Sequence, residues 1–208
     1  MSAEVLDKLF GSSGRVKVLR LFLLNEGTIF TPRNISRRTK LALLSARREI
    51  SLLIRLDFVK KKSQNINELI HLKNGEIKNK RKRVEGYELN GSFPYLDGLR
   101  GLILHAVPLQ SLKLNKLFRS SGNIKLIVVS GFLIHAENSR IDLLLVGDAL
   151  KRGIIEKNLK TIEAELGKEL SYAVFTTQEF LYRLEMCDKF VRDVLDYPHE
   201  KIINKLNI

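Results

Sequence analysis

Few side chains in this chain could do chemistry, and most of them are cations. Cys187 is the lone cysteine, and the histidines are His71, His105, His135 and His199. No two histidines have the spacing of metal ligands, no carboxylate–histidine pattern accompanies them, and Cys187 has no partner for a nucleophile–base pair. The expectation for Cys187 is a half-buried position on a helix, and for His105 a packed or hydrogen-bonded imidazole. Gly11-Ser12-Ser13-Gly14 has residue types that cradle a phosphate. It lacks the Gly-Lys-Ser/Thr ending and follows no strand, so it reads as a helix break with Ser12 or Ser13 capping the next helix. Nucleophile-elbow, kinase and dinucleotide signatures are absent. What remains is basic: Arg47, Arg48 and Arg55 with Leu44 and Ser45 beside them, then Lys60, Lys61 and Lys62, then the run Lys78, Lys80, Arg81, Lys82 and Arg83. Their chemistry is charge neutralisation and hydrogen bonding to phosphates and bases.

The placement of charge supports a polyanion partner. Net charge is +13; residues 1–90 hold 20 Lys/Arg against 9 Asp/Glu, and residues 91–208 hold 16 against 14. A one-sided basic half is the electrostatic footprint of a nucleic-acid binder. An anionic membrane surface is the competing partner, but no long amphipathic helix sets a lysine-rich face against bulky aromatics. Apolar runs such as Leu143 to Val146 are far too short to span a bilayer. The start, Met1-Ser-Ala-Glu, lacks the regions of a secretory signal. A single cysteine excludes a disulfide framework and suits a reducing cytosol. A cytoplasmic location with no membrane contact is expected.

The basic residues need elements to hold them, and residues 31–62 supply these. Thr31 caps a short helix with Pro32 at its first position, where a missing N–H costs nothing. It runs to about Thr39, and Lys40-Leu41-Ala42 is the turn. A second helix spans about Leu43 to Leu56, with Ala46, Ile50, Leu53 and Ile54 on one face and Leu43 extending the stripe. At 100° per residue the opposite face carries Leu44, Ser45, Arg48 and Arg55, with Arg47 at its flank. An apolar stripe backed by basic and small polar residues suits a helix lying in a major groove; a solvated surface helix is the alternative. Upstream, helices are expected over Ala3–Phe10 and from about Gly14 to Asn25, with Val16, Leu19, Phe22 and Leu23 inward. Downstream, Phe58–Lys62 is a strand, Ser63–Asn67 a polar turn, Leu69–Leu72 a strand and Asn74-Gly75 a turn. The basic run follows as an arm for phosphates or the minor groove, with a solvated charge run as the alternative. Val84–Leu89 returns as a strand. Three helices followed by a strand pair is the order of a winged helix-turn-helix.

The rest divides at Asn90-Gly91-Ser92. Pro94 opens a helix to about Ala106 with Leu96, Leu99, Leu102, Ile103 and His105 on its apolar face, and a second helix carries Leu109, Leu112, Leu117 and Phe118. This stretch is a connector or a dimer interface. From Ser121 strands and helices alternate: strand Ile124–Gly131, strand Arg140–Gly147, helix Asp148–Leu166, strand Leu170–Phe175, a helix capped by Thr176 or Thr177, and helices Lys189–Asp196 and Pro198–Leu206. That is a small α/β domain.

Two resemblances follow from these residues. The segment Ile35-Ser-Arg-Arg-Thr-Lys-Leu-Ala-Leu-Leu-Ser-Ala-Arg-Arg-Glu-Ile, with Gly86-Tyr87-Glu-Leu-Asn90 and Phe93-Pro94-Tyr95-Leu96, resembles winged helix-turn-helix transcriptional regulators of bacteria and archaea. Ala42 stands where Ser or Thr usually caps the recognition helix. Residues 121–190, with Gly131 after the first strand and Ser139-x-Ile-Asp142-Leu-Leu-x-Val-Gly147 on the next, resemble the DNA polymerase beta-like nucleotidyltransferase superfamily. In active members a Gly-Ser pair holds the nucleotide phosphates, and two acids on the second strand, often with a third on the next, bind two magnesium ions. Here Phe132 replaces the serine and Arg140 the first acid, while Glu169 stands only at the third strand's entrance. The resemblance thus implies a vestigial site at Gly131 and Asp142, with His135 the one histidine near it.

The expected architecture is an α+β two-domain chain. A winged helix-turn-helix covers residues 1–90, a helical connector 91–120, and a nucleotidyltransferase-like α/β domain 121–208. The expected function is a regulator that binds double-stranded DNA, as a homodimer, with no cofactor and no catalysis. Its second domain would take a nucleotide or a protein effector. The alternative is a nucleotidyltransferase using Asp142, Asp148 or Glu169 in a changed arrangement.

Overall fold

The computed structural model describes residues 2–71, 77–104, 113–136 and 139–208. The described residues are mixed α and β and form two sheets. The chain divides into two compact units, residues 1–106 with 164–168, and residues 107–163 with 169–208.

In the first unit, α1 (Ser2–Leu9), α2 (Ser13–Leu23), α3 (Pro32–Thr39) and α4 (Leu43–Arg55) precede the strands β1 (Val59–His71) and β2 (Ile77–Leu89), and α5 (Leu96–Leu104) follows. Local chemistry sets the helix starts. Ser12 Oγ accepts from Arg15 N at 3.1 Å, and Thr31 Oγ1 accepts from Asn34 N at 3.2 Å with Pro32 next in line. Ala42 gives α4 no side-chain cap, a loss of about 1 kcal/mol against Ser or Thr. Lys40 ends α3 in the left-handed region, φ 54°. Phe22, Ile35, Ile50, Leu53 and Phe58 are buried in one apolar core, which Leu96 and Ile103 of α5 join. Because α5 supplies these side chains, the first unit runs past the division expected at residue 90. Of the expected connector, His105, Leu109 and Leu112 lie outside the described residues, and Leu102 is exposed rather than inward.

The expected wing needs correction. β1 and β2 are 13 residues each and pair antiparallel without a break, from Val59↔Leu89 to His71↔Ile77. Ser63–Asn67 is therefore strand, opposite Arg81–Glu85, and the run Lys78–Arg83 is strand as well, not an arm beyond the sheet. Polarity suggested a turn, but the segment has no Gly or Pro to break the ladder, and pairing satisfies its backbone groups. Leu72 and Asn74-Gly75 lie outside the described residues. At about 3.3 Å per residue the ribbon is roughly 40 Å long.

Its base is tied to the helices. Phe30 and Tyr87 exchange both N–H···O bonds at 2.9 Å. Buried Asn90 donates Nδ2 to Asp57 O at 2.7 Å and its backbone N–H to Phe58 O at 2.9 Å. Gly86 permits this approach, since a Cβ there would lie 2.4 Å from Ile29 Cγ2 and 3.1 Å from Phe30 O.

The second unit opens with α6 (Leu114–Leu117) and holds a four-stranded sheet in the order β5-β4-β3-β6. β3 (Asn123–Ser130) is antiparallel to β4 (Leu143–Asp148) and to β6 (His199–Asn204), and β4 is parallel to β5 (Tyr172–Thr176). The helix α7 (Arg152–Leu166) connects the parallel pair, with Ile155, Leu159 and Ile162 buried. It starts later than expected because Ala149 takes φ 50°. β3 and β4 are buried along nearly their whole length, as strands covered on both faces are. Then come α8 (Thr177–Glu185), capped by Thr176, and α9 (Lys189–Asp196).

Two further expectations fail. Residues 198–206 are not a helix: His199–Asn204 is β6, which pairs with β3 and covers what would be an open sheet edge. Cys187 is exposed in the turn between α8 and α9 at φ 53°, not half-buried on a helix. Among the described residues no helix is long and apolar enough to cross a membrane. Gly86→Ala is expected to destabilise the first unit by about 1–3 kcal/mol through overpacking against Ile29, read as a lower urea midpoint.

Candidate nucleic-acid interface

The helix α4 has the two faces its sequence implies. Ala46, Ile50 and Leu53 are buried, and Leu43 and Ile54 are half-buried. Leu44, Ser45, Arg47, Arg48 and Arg55 are all exposed, Leu44 at 62%. These five expected residues stand on one side of one helix. A leucine so exposed beside arginines has no role in the core.

The single carboxylate of α4 is withdrawn from that side. Glu49 accepts from Ser12 Oγ at 2.8 Å and from Arg15 Nε at 2.9 Å, and Arg15 Nη1 donates to Phe10 O at 2.6 Å. Ser12 is also the N-cap of α2, so the start of α2 and the middle of α4 share one hydrogen-bonded cluster. With Glu49 engaged, α3 and α4 present cations without a competing acid. The turn between them is held by Ser36 Oγ donating to Leu41 O and Thr39 Oγ1 donating to Ile35 O, both at 2.7 Å.

Sequence reasoning missed Arg33 and Arg37, exposed on α3. Their signal was available: they stand four apart on a helix that has no acid. Arg20 is basic but belongs elsewhere. It is buried in the first unit, its Nη1 donates to Glu165 O at 2.9 Å, and desolvation lowers its pKa while Glu165 and Asp7 oppose the shift.

The ribbon continues the basic surface. Lys60, Lys61 and Lys62 are exposed at the start of β1, just beyond the reversal at Asp57. Lys62 is paired with Glu88 across the ribbon, so its charge is partly offset. Arg83 is exposed, with Nη2 donating to Ser63 Oγ at 3.2 Å. Lys78, Lys80, Arg81 and Lys82 occupy register positions opposite Ile70, Glu68, Asn67 and Ile66; their side chains lie outside the described residues. By register they stand seven to eleven pairs beyond Val59↔Leu89.

In the second unit Gly131 and Asp142 do meet, but the contact serves the backbone. Asp142 Oδ1 accepts from Phe132 N at 2.7 Å and Oδ2 accepts from Ser171 N at 2.9 Å. Gly131 has φ 54°, and a Cβ there would stand 2.6 Å from Asp142 Oδ1. The pair closes the turn after β3 onto the entrance of β5. Arg140 Nε is paired with Asp193 Oδ2 at 2.5 Å and turns to α9. Asp148 stands at the far end of β4, about 20 Å along the strand from Asp142. Glu169 and His135 are exposed. Among the described residues no three His, Cys, Asp or Glu side chains gather as a metal site.

Comparison of the chain with protein-family models, curated proteins and solved structures finds no match.

Two variants test the parts. Glu49→Ala leaves Ser12 Oγ and Arg15 Nε without their acceptor and is expected to cost about 1–3 kcal/mol, measured by urea unfolding. Asp142→Ala removes the acceptor of Phe132 N–H and of the solvent-exposed Ser171 N–H and is expected to cost about 1 kcal/mol. Its amide exchange should rise at those two positions.

Proposed function

We propose that this chain is a DNA-binding transcriptional regulator. In this reading the first unit is a winged helix-turn-helix whose recognition helix is α4, and the second is a nucleotidyltransferase-like domain without catalysis. The observation that carries the reading is the exposed side of α4, where Leu44, Ser45, Arg47, Arg48 and Arg55 stand with no acid among them. An α-helix of this kind fits the major groove, where arginine forks read base edges and other basic groups hold phosphates. Arg47 and Arg48, supported by Ser45, meet bases or phosphates. Lys60, Lys61, Lys62 and the cations of β2 meet phosphates, and Arg33 and Arg37 of α3 join them.

The second unit supports the non-catalytic half of the proposal through Asp142, whose two oxygens already hold backbone N–H groups. Its role is then to bind a nucleotide or protein effector. The regulator works as a homodimer on paired half-sites, the usual geometry for such readers, and in the cytoplasm, in line with its single cysteine.

Selection of bound duplexes from a random pool at two salt concentrations tests this. A defined sequence recovered at both salts is expected; recovery without sequence preference leaves only electrostatic binding. On the selected duplex, Arg48→Ala is expected to cost about 1–3 kcal/mol and relax one position. Replacing Lys60, Lys61 and Lys62 by Gln weakens all duplexes alike, and the slope of log K against log salt falls by about 0.9 per lost contact.

A further inference from the structure

The unbroken pairing of β1 with β2 turns sequence position into distance. Counting from Val59↔Leu89, Lys60, Lys61 and Lys62 occupy the first, second and third pairs beyond the base. Arg83, Lys82, Arg81, Lys80 and Lys78 occupy positions from the sixth pair to the eleventh. Between the two groups lie Ser63↔Glu85 and Gln64↔Val84, which carry no cation. At about 3.3 Å per pair the distal group begins roughly 20 Å from the ribbon's base and ends roughly 36 Å from it. The centres of the two groups are about 20 Å apart, more than two Debye lengths of about 8 Å at physiological ionic strength. Arg83 reaches back to Ser63 Oγ at 3.2 Å and stands between them, while Lys78 to Lys82 lie further out along the ribbon.

A duplex advances about 3.4 Å per base pair, so the distal group spans about one helical turn's reach from the base of the ribbon. A two-stranded ribbon is also narrow enough to follow a groove. We infer that Lys78, Lys80, Arg81 and Lys82, with Arg83 at their inner edge, hold duplex backbone beyond the bases that α4 reads, about six to eleven base pairs from where the ribbon's base meets the duplex, a distance set by strand rise against duplex rise. One chain then covers a core site and a flank. The inference rests on the DNA-binding reading above and adds to it a second contact at a fixed distance.

The test is hydroxyl-radical footprinting of the full chain on an end-labelled duplex selected from the random pool, with long flanks on both sides. Core protection plus a separate protected flank is expected. Deleting the four outermost pairs, residues 68–71 and 77–80, keeps the register of the rest and shortens the ribbon by roughly 13 Å. Because Lys78 and Lys80 leave with these pairs, the outer edge of the flank should retract by about three base pairs, while its inner edge and the core protection stay in place. A full-length variant with Lys78→Gln, Lys80→Gln, Arg81→Gln, Lys82→Gln and Arg83→Gln should lose the flank and keep the core, and it decides the matter if the shortened chain fails to fold. A wild-type footprint confined to the core, or a flank that neither variant moves or removes, overturns the inference and leaves the DNA-binding reading standing. If the full chain protects no duplex at all, the DNA-binding reading itself falls, and the inference with it.

Discussion

The first unit depends on how Glu49 is held. It is the one acid on α4, and at helical spacing it lies on the flank between the buried stripe and the basic side. If its carboxylate were free, it would stand close to Arg48 and Ser45 and oppose any anionic partner there. The Ser12 and Arg15 side chains instead draw it toward α2. Charge-assisted hydrogen bonds of this kind are stronger than neutral ones, and Glu49 is only 15% exposed, so solvent competes little. One cluster thereby caps α2, fixes α4 against it and removes the only negative charge from the exposed side. Stability and surface charge come from the same three residues.

Packing many cations into a small fold raises self-repulsion. The first 90 residues carry 20 Lys/Arg against 9 Asp/Glu. The ribbon eases that conflict by distance. Five of the cations are spaced along the outer part of β2, roughly 20 Å or more from the base by strand rise, where salt screens them from the helices. Near the base, where charges would be closer together, Glu88 pairs with Lys62. Glu88 thus offsets one charge at the ribbon's base.

Much of the first unit was legible because its signals are local. Thr31-Pro32 marks a helix start, and the spacing of Ala46, Ile50 and Leu53 marks a buried face; both follow from residues a few positions apart. The ribbon was not legible in the same way. Ser63–Asn67 looks like a turn until its partners at 81–85 are known, and nothing near it in sequence names them. His199–Asn204 was misread for a related reason: a short segment with two adjacent isoleucines fits either period, and the open edge of β3 decides it. The tie between Arg15 and Glu49, 34 residues apart, was likewise invisible to spacing arguments. Glycine at position 86 is explained only by Ile29 and Phe30 across the bridge.

The second unit shows how a legible motif can have an illegible role. Gly131 and Asp142 stand out in the sequence, and they touch in the structure. Their partners, however, are backbone N–H groups of Phe132 and Ser171, which leave no mark in composition or spacing. A carboxylate so engaged would have to give up both bonds to turn toward a ligand, each worth about 0.5–1.5 kcal/mol. Gly131 sits too close to Asp142 for any side chain to replace it while that carboxylate stays in place. The two residues therefore constrain each other without reference to a substrate. The turn after β3 and the entrance of β5 suffice to account for both.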